Sequence, residues 1–276
     1  MASHATHDLT YRIERTVAGF WSLGGSTVQH DHFKEVSHPA APEHPLGNFV
    51  HLVRNDAGAA AQALLGADGT PATASRRRVV IDAGTPDELE AVLALQDWRL
   101  ELQLQLVLPP TTPVVTPTST VRPATDEADW KAITDLLRND HLEEDGRHGD
   151  PPRPLAQTQE AVALRRSLGP DVEYLLAEQG DRVIGCIAIW VRGKGVGLIE
   201  DVFVRTEARG AGIATQLLRH AVHRGRRRQA REIIIGAEIK DTPKHLYAKF
   251  GFAPAAVLRS FVAPPLQHDQ GGPTAR

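Results

Sequence analysis

The stretch VGLIEDVFVRTEARGAGIATQLLRHAVHRG, residues 196–225, constrains the fold more than any other. It opens on an apolar, β-branched run that reads as a strand. It closes on a segment that puts Ile213, Leu217, Leu218, Ala221 and Val222 on one face of a helix. Between the two stand Arg209, Gly210, Ala211 and Gly212. Glycine starts helices poorly, so a pair at a helix mouth predicts a turn whose backbone is closely approached by something else. Strand, turn and helix in that order aim backbone N–H groups and the positive end of the helix dipole at one spot, which suits a phosphate. No Gly-Lys-Ser/Thr follows, so this is not a Walker loop. The third glycine and the ribose-binding acid of a dinucleotide fingerprint are missing as well.

Around this unit the C-terminal part reads as alternating strands and helices. A short strand at 119–124 leads to an amphipathic helix at 126–140 and a second helix at 155–169. Strands at 172–179 and 182–193 join through Gly180-Asp181, a tight hairpin turn. After the glycine turn and its helix come a strand at 231–239, a helix at 241–251 with Asp241 as its cap, and a strand at 255–263. The N-terminal part offers a strand at 47–55, a short helix at 55–70, a strand at 76–84, a helix from Thr85 with Pro86 in first position, and an alternating strand at 98–108. Residues 111–118 are dense in proline and threonine and read as a linker. The expected organisation is an αβ domain over 1–110, the linker 111–118, a second domain over 119–264, and a disordered tail over 265–276.

VFVRTEARGAGIATQLL resembles the acetyl-CoA signature of the GNAT superfamily of N-acetyltransferases, Arg/Gln-x-x-Gly-x-Gly/Ala, through Arg209, Gly212 and Ala214. LYAKFGFAP is similar to the same superfamily's second hallmark, a helix carrying a tyrosine followed by Gly-Phe. The two stand at the family's separation with a strand between them. The fold this implies is α/β (α+β), a mixed central sheet flanked by helices, with strands that splay at the acetyl-CoA site. The resemblance assigns the pyrophosphate of CoA to the amides of Arg209, Gly210, Ala211, Gly212, Ile213 and Ala214, with the Thr215 hydroxyl beside them. It assigns the pantetheine arm to the backbone of Val202, Phe203 and Val204, as an added strand.

Acetyl transfer to an amine needs a neutral nucleophile, a polarised thioester carbonyl and a proton for the departing thiolate. Tyr247 matches the family tyrosine that supplies that proton. Glu200 and Asp201 are the candidate bases; alternation puts them on opposite faces of the strand, and Glu200, at the position of the family's base, is placed ahead. The pattern departs from many members in having KDTPKHLY where asparagine and alanine precede the tyrosine. The implied activity is an acetyl-CoA-dependent N-acetyltransferase acting on a small-molecule or protein amine. A non-catalytic CoA- or acyl-CoA-binding module is the alternative.

Within 1–110 no such glycine turn occurs, yet 79–108 is similar in order to the closing strand, helix and strand of the same fold, with Gln96-Asp97-Trp98 standing where Gly-Phe belongs. That implies a tandem arrangement, in which a degenerate, smaller GNAT-like half does not bind CoA and walls the acceptor pocket with Phe20, Trp21, Asn48 and Trp98. Glu143, Glu144 and Asp145, in an expected loop, are candidates for attracting a cationic amine. Arg224, Arg226 and Arg227 are candidates for the 3′-phosphate of CoA.

Composition removes other classes. The net charge of −3 and the lack of aromatics within the basic run RHAVHRGRRRQARE argue against a nucleic-acid partner. The single cysteine, Cys186, lies in an apolar run and reads as core, so no internal disulfide or cysteine-built metal site is expected. His30 and His32, sharing a strand face, have no third ligand at a metal spacing, and no metal is expected. No apolar stretch is long enough to span a bilayer and no secretory leader is evident, so the expectation is a cytoplasmic protein without membrane partners, possible as a homodimer.

Overall fold

The computed structural model describes residues 2–54, 56–65, 71, 73–118, 121–192, 195–240 and 242–264. The expected tail at 265–276 and the expected cap Asp241 lie outside them. The N-terminal part runs α1 (Ala2–Trp21), β1 (Ser26–Gln29), β2 (Lys34–Ser37), β3 (Phe49–His51), α2 (Ala57–Leu64), β4 (Arg78–Ile81), α3 (Asp87–Leu95) and β5 (Arg99–Leu108). The C-terminal part runs β6 (Val121–Pro123), α4 (Glu127–His148), α5 (Leu155–Ser167), β7 (Glu173–Gln179), β8 (Arg182–Val191), β9 (Gly197–Val204), α6 (Ile213–Arg227), β10 (Ile233–Glu238), α7 (Pro243–Phe250) and β11 (Ala253–Val262).

Among the described residues the strands form one sheet in the order β1-β2-β3-β4-β11-β5-β10-β9-β8-β7-β6. The middle of this order is a palindrome. β3 and β4 are parallel, as are β9 and β10, while β4, β11, β5 and β10 pair antiparallel in sequence across the centre. Exchanging the two halves maps β3, α2, β4, α3 and β5 onto β9, α6, β10, α7 and β11 in chain order. The last strand of each part is inserted beside the other part's penultimate strand, so the 111–118 segment joins two stretches that share one sheet.

The ends of α3 and α7 match at the level of single hydrogen bonds. Gly251, at φ +119°, closes α7, and the Phe252 N–H donates to the Tyr247 carbonyl at 3.0 Å. Asp97, at φ +58°, closes α3, and the Trp98 N–H donates to the Leu93 carbonyl at 3.1 Å. Gln96-Asp97-Trp98 thus makes the turn that Gly-Phe makes, and Leu93 occupies the place of Tyr247.

One face of the C-terminal sheet is covered by α6, whose Leu217, Leu218, Ala221 and Val222 are fully buried. Each such leucine contributes about 1.5–3 kcal/mol by leaving water. The other face packs against α1, α4 and α5 through Phe20, Trp21, Ile133, Leu136, Leu164 and Trp190. Two expectations are corrected. α4 continues to His148, so Glu143, Glu144 and Asp145 are helical and not in a loop; an Asp126–Asp129 capping box starts that helix and Gly149, at φ +75°, ends it. His30 and His32 sit in the turn between β1 and β2, not on a strand. The α1 helix and the β1–β2 hairpin carry no expectation from the sequence.

Candidate active site

β9 is the strand on which the site is built, and it is irregular. Its register with β8 steps from Cys186↔Phe203 to Ala188↔Glu200, so one extra β9 residue is accommodated, and Asp201 takes φ +53°. Aspartate tolerates that left-handed conformation better than a β-branched residue would. The bulge cancels the alternation on which opposite faces were expected. Glu200 stands in a row with Ala188 and Tyr174 across three strands, and the Tyr174 hydroxyl donates to Asp201 Oδ2 at 2.7 Å. Both acids therefore face the α4/α5 side.

Their environments differ completely. Asp201 takes a bidentate ion pair from Arg165 at 2.7 and 2.8 Å in addition to the Tyr174 hydroxyl. Burial pushes its carboxyl up, but Arg165 and these hydrogen bonds outweigh that and hold it below the usual range. Asp201, bonded through both oxygens to Arg165 and Tyr174, is corrected from candidate base to anchor. Glu200 has a buried Oε1 without a hydrogen-bond partner among the described residues. Burial, reinforced by the Asp201 charge and opposed by Arg165, pushes its carboxyl up to about 8. A desolvated carboxyl that titrates near neutrality is suited to accepting a proton.

Pairing between β9 and β10 ends at Ile199↔Ile235, and beyond that point the strands diverge. The β10-facing edge of Val202, Phe203 and Val204 consequently has no strand partner among the described residues. At the end of β9, Gly210 and Gly212 both adopt φ +80°, and Gly212 is the N-terminal cap of α6. A Cβ on either would meet nothing within 4 Å, so these glycines serve a left-handed turn facing open space and not helix–strand packing. The N–H groups of Gly210, Ala211, Gly212, Ile213, Ala214 and Thr215 make no hydrogen bond among the described residues, whereas those of Arg209 and Gln216 do. Arg209 braces the turn: it donates to the Val204 carbonyl at 2.9 Å and to Glu143 on α4 at 2.6 Å. Glu143 also accepts from Thr206.

Tyr247 lies in the middle of α7, buried in the core beneath α6 and α7, with its ring 6.3 Å from that of Phe252. Thr215 lines a groove of about 320 Å3 between the 113–115 segment, α6 and α7, together with Arg219 and Lys249. The arginines expected to meet a phosphate are elsewhere. Arg224, Arg226 and Arg227 are at the far end of α6, about 20 Å from the turn by helical rise. Arg224 pairs with Glu173, and Arg226 donates to the Thr112 carbonyl at 2.6 Å.

Below Asp201, the residue after Glu200, is a cavity of about 210 Å3. α4 contributes Ile133, Leu137 and Asp140, α5 Arg165, and the strands Tyr174, Cys186, Val202 and Phe203. Burial, reinforced by Glu144 and Asp201, pushes Asp140 up to about 6. Burial, Asp201 and Asp140 push the Cys186 thiol well up, which agrees with a core cysteine and not a nucleophile. The expected acids Glu144 and Asp145 are instead bonded to Arg153 at 2.5 to 2.8 Å.

The N-terminal part braces this site. Trp21 stacks on the Arg165 guanidinium at 5.7 Å, and Phe20 packs on Trp21 and Trp190. Asn48 accepts from the His38 N–H and donates to the Ala41 and His44 carbonyls, shaping a loop that carries His44 toward Arg165 and Asp201. Burial, with Arg165 and His141, holds His44 down to about 3, a neutral ring. Trp98 belongs to the separate core of α2 and α3. The N-terminal equivalent of the glycine turn is closed by its own side chains. Asp56 caps α2 by accepting from Gly58 and Ala59 at 2.7 and 3.1 Å, and Arg54 makes a bidentate pair with Asp82 between the ends of β3 and β4.

The model of the acetyltransferase (GNAT) family matches residues 130–252. This stretch is a GNAT acetyltransferase domain. It contains the bulged strand, the glycine turn, the splay and Tyr247. The whole chain is similar in fold to a GCN5-related N-acetyltransferase from Kribbella flavida, with 13% identity, a TM-score of 0.62, and coverage of 92% of this chain and 95% of that one. It is also similar to a conserved protein of unknown function from Staphylococcus epidermidis, with 13% identity, a TM-score of 0.59, and coverage of 87% and 94%. Both likenesses extend across the N-terminal part. No curated protein matches the sequence. Among the described residues no group of side chains is arranged to hold a metal ion, and no helix is long and apolar enough to cross a membrane.

Proposed function

We propose that the protein is an acetyl-CoA-dependent N-acetyltransferase that acetylates a primary amine by direct attack in a ternary complex. The observation that carries the reading is the run of unpartnered amides from Gly210 to Thr215, beside a β9 edge that has lost its β10 partner. Those amides and the α6 dipole fit a pyrophosphate, and the free edge of Val202–Val204 fits the pantetheine amides. Arg219 and Lys249, which make no ion pair among the described residues, supply the positive charge in the adjoining groove for the nucleotide phosphate.

Bound acetyl-CoA supplies an acetyl group activated as a thioester. Glu200, ionised above its titration near 8, takes the proton released by the attacking amine. Tyr247 donates its hydroxyl proton to the departing sulfur, and Asp201 with Arg165 fixes the bulge that orients Glu200. The N-terminal part is a degenerate counterpart of the same fold. Asp56 and the Arg54–Asp82 pair fill its equivalent site, and Leu93 stands in place of the tyrosine, so one acetyl-CoA binds per chain.

Calorimetric titration with acetyl-CoA tests the reading, run beside Gly212→Glu, whose carboxylate projects into the open side of the turn. Binding at one equivalent that the variant weakens by about a hundredfold or more is expected from loss of the anion site with like-charge repulsion. Undiminished binding by the variant, or no binding by the wild type, refutes it. Release of free thiol on adding amines then tests catalysis.

A further inference from the structure

The geometry points to Asp140 as the specificity-determining residue of the acceptor site, holding a second cationic group on a small aliphatic amine. This rests on the acetyltransferase reading and concerns what the cavity beneath Asp201, Val202 and Phe203 accepts. The cavity, at about 210 Å3, is below the roughly 300–1,000 Å3 of pockets for drug-sized ligands, so the group it takes is compact. Ile133, Leu137 and Asp140 line it at spacings of four and three on α4, which gives an apolar wall ending in a carboxylate.

The charges there are unbalanced. Arg165 is the cation of the lining, and both of its charge-bearing contacts go to Asp201. Asp140 is left with no hydrogen bond or ion pair to another side chain among the described residues, although burial disfavours its charge. His44 and His141 are held neutral chiefly by burial, with Arg165 acting on His44 and Arg153 and Arg165 on His141. A desolvated carboxylate facing this cavity is stabilised by a ligand cation; the cation of the described lining, Arg165, is already committed to Asp201, and Arg147 acts on Asp140 from outside the lining.

Asp140 is also set apart from the base: it stands on α4, whereas Glu200 stands on β9. The acceptor can therefore lose a proton from one nitrogen at Glu200 while the other nitrogen stays charged at Asp140. An α,ω-diamine satisfies both ends.

The test compares kcat/KM, by thiol release at saturating acetyl-CoA, for 1,4-diaminobutane, n-butylamine and 4-aminobutyrate. The diamine is expected to exceed the monoamine by about tenfold or more, the worth of one charge-assisted hydrogen bond, and 4-aminobutyrate is expected to be the poorest. Asp140→Asn should raise KM for the diamine and bring the kcat/KM values of diamine and monoamine together. Asp140→Glu should restore part of the preference. A wild type that treats diamine and monoamine alike, or an Asp140→Asn variant that keeps the preference, overturns the assignment while leaving the acetyltransferase reading intact. Acetyl-CoA binding without thiol release from any amine overturns both. Thermal melts of the variants accompany the kinetics, and a loss of kcat for all acceptors together with a lowered Tm counts against a specificity role.

Discussion

Glu200→Gln should make the protein more stable and nearly inactive, with a stability gain that depends on pH in a defined way. The Glu200 carboxyl titrates at about 8 in the folded protein against an ordinary 4.5, so between those values the folded chain retains a proton that the unfolded chain has released. Wild-type stability therefore falls as pH rises from 4.5 to about 8 and is flat above it. At 1.36 kcal/mol per unit, the penalty at pH 7 is about 3 kcal/mol, an upper bound because Glu200 is only half-buried by surface area. Glutamine removes the ionisation and keeps the shape. Urea unfolding of both proteins at pH 5 and pH 8 should give curves that nearly coincide at the lower pH and separate by about 1–3 kcal/mol at the higher. The same substitution should lower kcat/KM by about 10²–10⁴-fold and flatten its rise toward pH 8. Stability curves that run parallel across this range would mean that Glu200 is not a desolvated titrating group, and the assignment of the base would fail with it.

Three further outcomes are expected. Asp201→Asn leaves the buried Arg165 guanidinium without its counter-charge and should cost about 3–5 kcal/mol in urea unfolding; it should also move the inflection of the kcat/KM profile to lower pH, since Asp201 raises Glu200 and Arg165 lowers it. An inflection that stays in place would break the link between the two acids. Tyr247→Phe should lower kcat by about 10–100-fold without changing calorimetric affinity for acetyl-CoA, and an unchanged kcat would remove Tyr247 from proton transfer. Arg219→Ala and Lys249→Ala should each weaken acetyl-CoA about 3–10-fold at low salt, with the difference shrinking at high ionic strength. Equal loss at all salt concentrations would argue for a packing role instead.

The parts of the site that follow from chain-local rules were legible in the sequence. Paired glycines before an amphipathic helix need φ above zero, and both Gly210 and Gly212 adopt it. The Gln96-Asp97-Trp98 turn was readable as a counterpart of Gly-Phe only through the matching order of strand, helix and strand around it. What depends on one extra residue in a strand was not legible. VFV and LIED alternate normally on paper, and nothing in them marks Asp201 as the bulged position, so its facing was misjudged and its partner Arg165, 36 residues away, had no signal. The length of α4 was misjudged because DHLEEDGRHG has Leu142 as its one large apolar residue. Its continuation is held by tertiary bonds from Arg209 to Glu143 and from Arg153 to Asp145. Asp140 opens that run as the last residue of the expected helix, and nothing in the sequence marked it as facing a cavity.

The strand exchange explains why a half whose own cofactor site is closed stays in the chain. β5 lies between β10 and β11, so without it β10 has no antiparallel neighbour on the side away from β9. An unpaired β10 would lose the restraint against which β9 diverges, and that divergence is what frees the Val202–Val204 edge. The N-terminal part also supplies Trp21, which covers Arg165, and Arg165 in turn holds the Asp201 bulge. Two independent contacts thus run from the N-terminal part to the β9 irregularity, one through the sheet and one through the guanidinium. Trp21→Ala separates them: it exposes Arg165 while leaving the β5 insertion untouched. Loss of the stacked indole in a buried site should cost about 3–5 kcal/mol. If the guanidinium contact governs the bulge, the variant should shift the kcat/KM inflection as Asp201→Asn does while its acetyl-CoA affinity stays unchanged. A variant that loses acetyl-CoA affinity but keeps the inflection would show that the N-terminal part acts through the sheet alone.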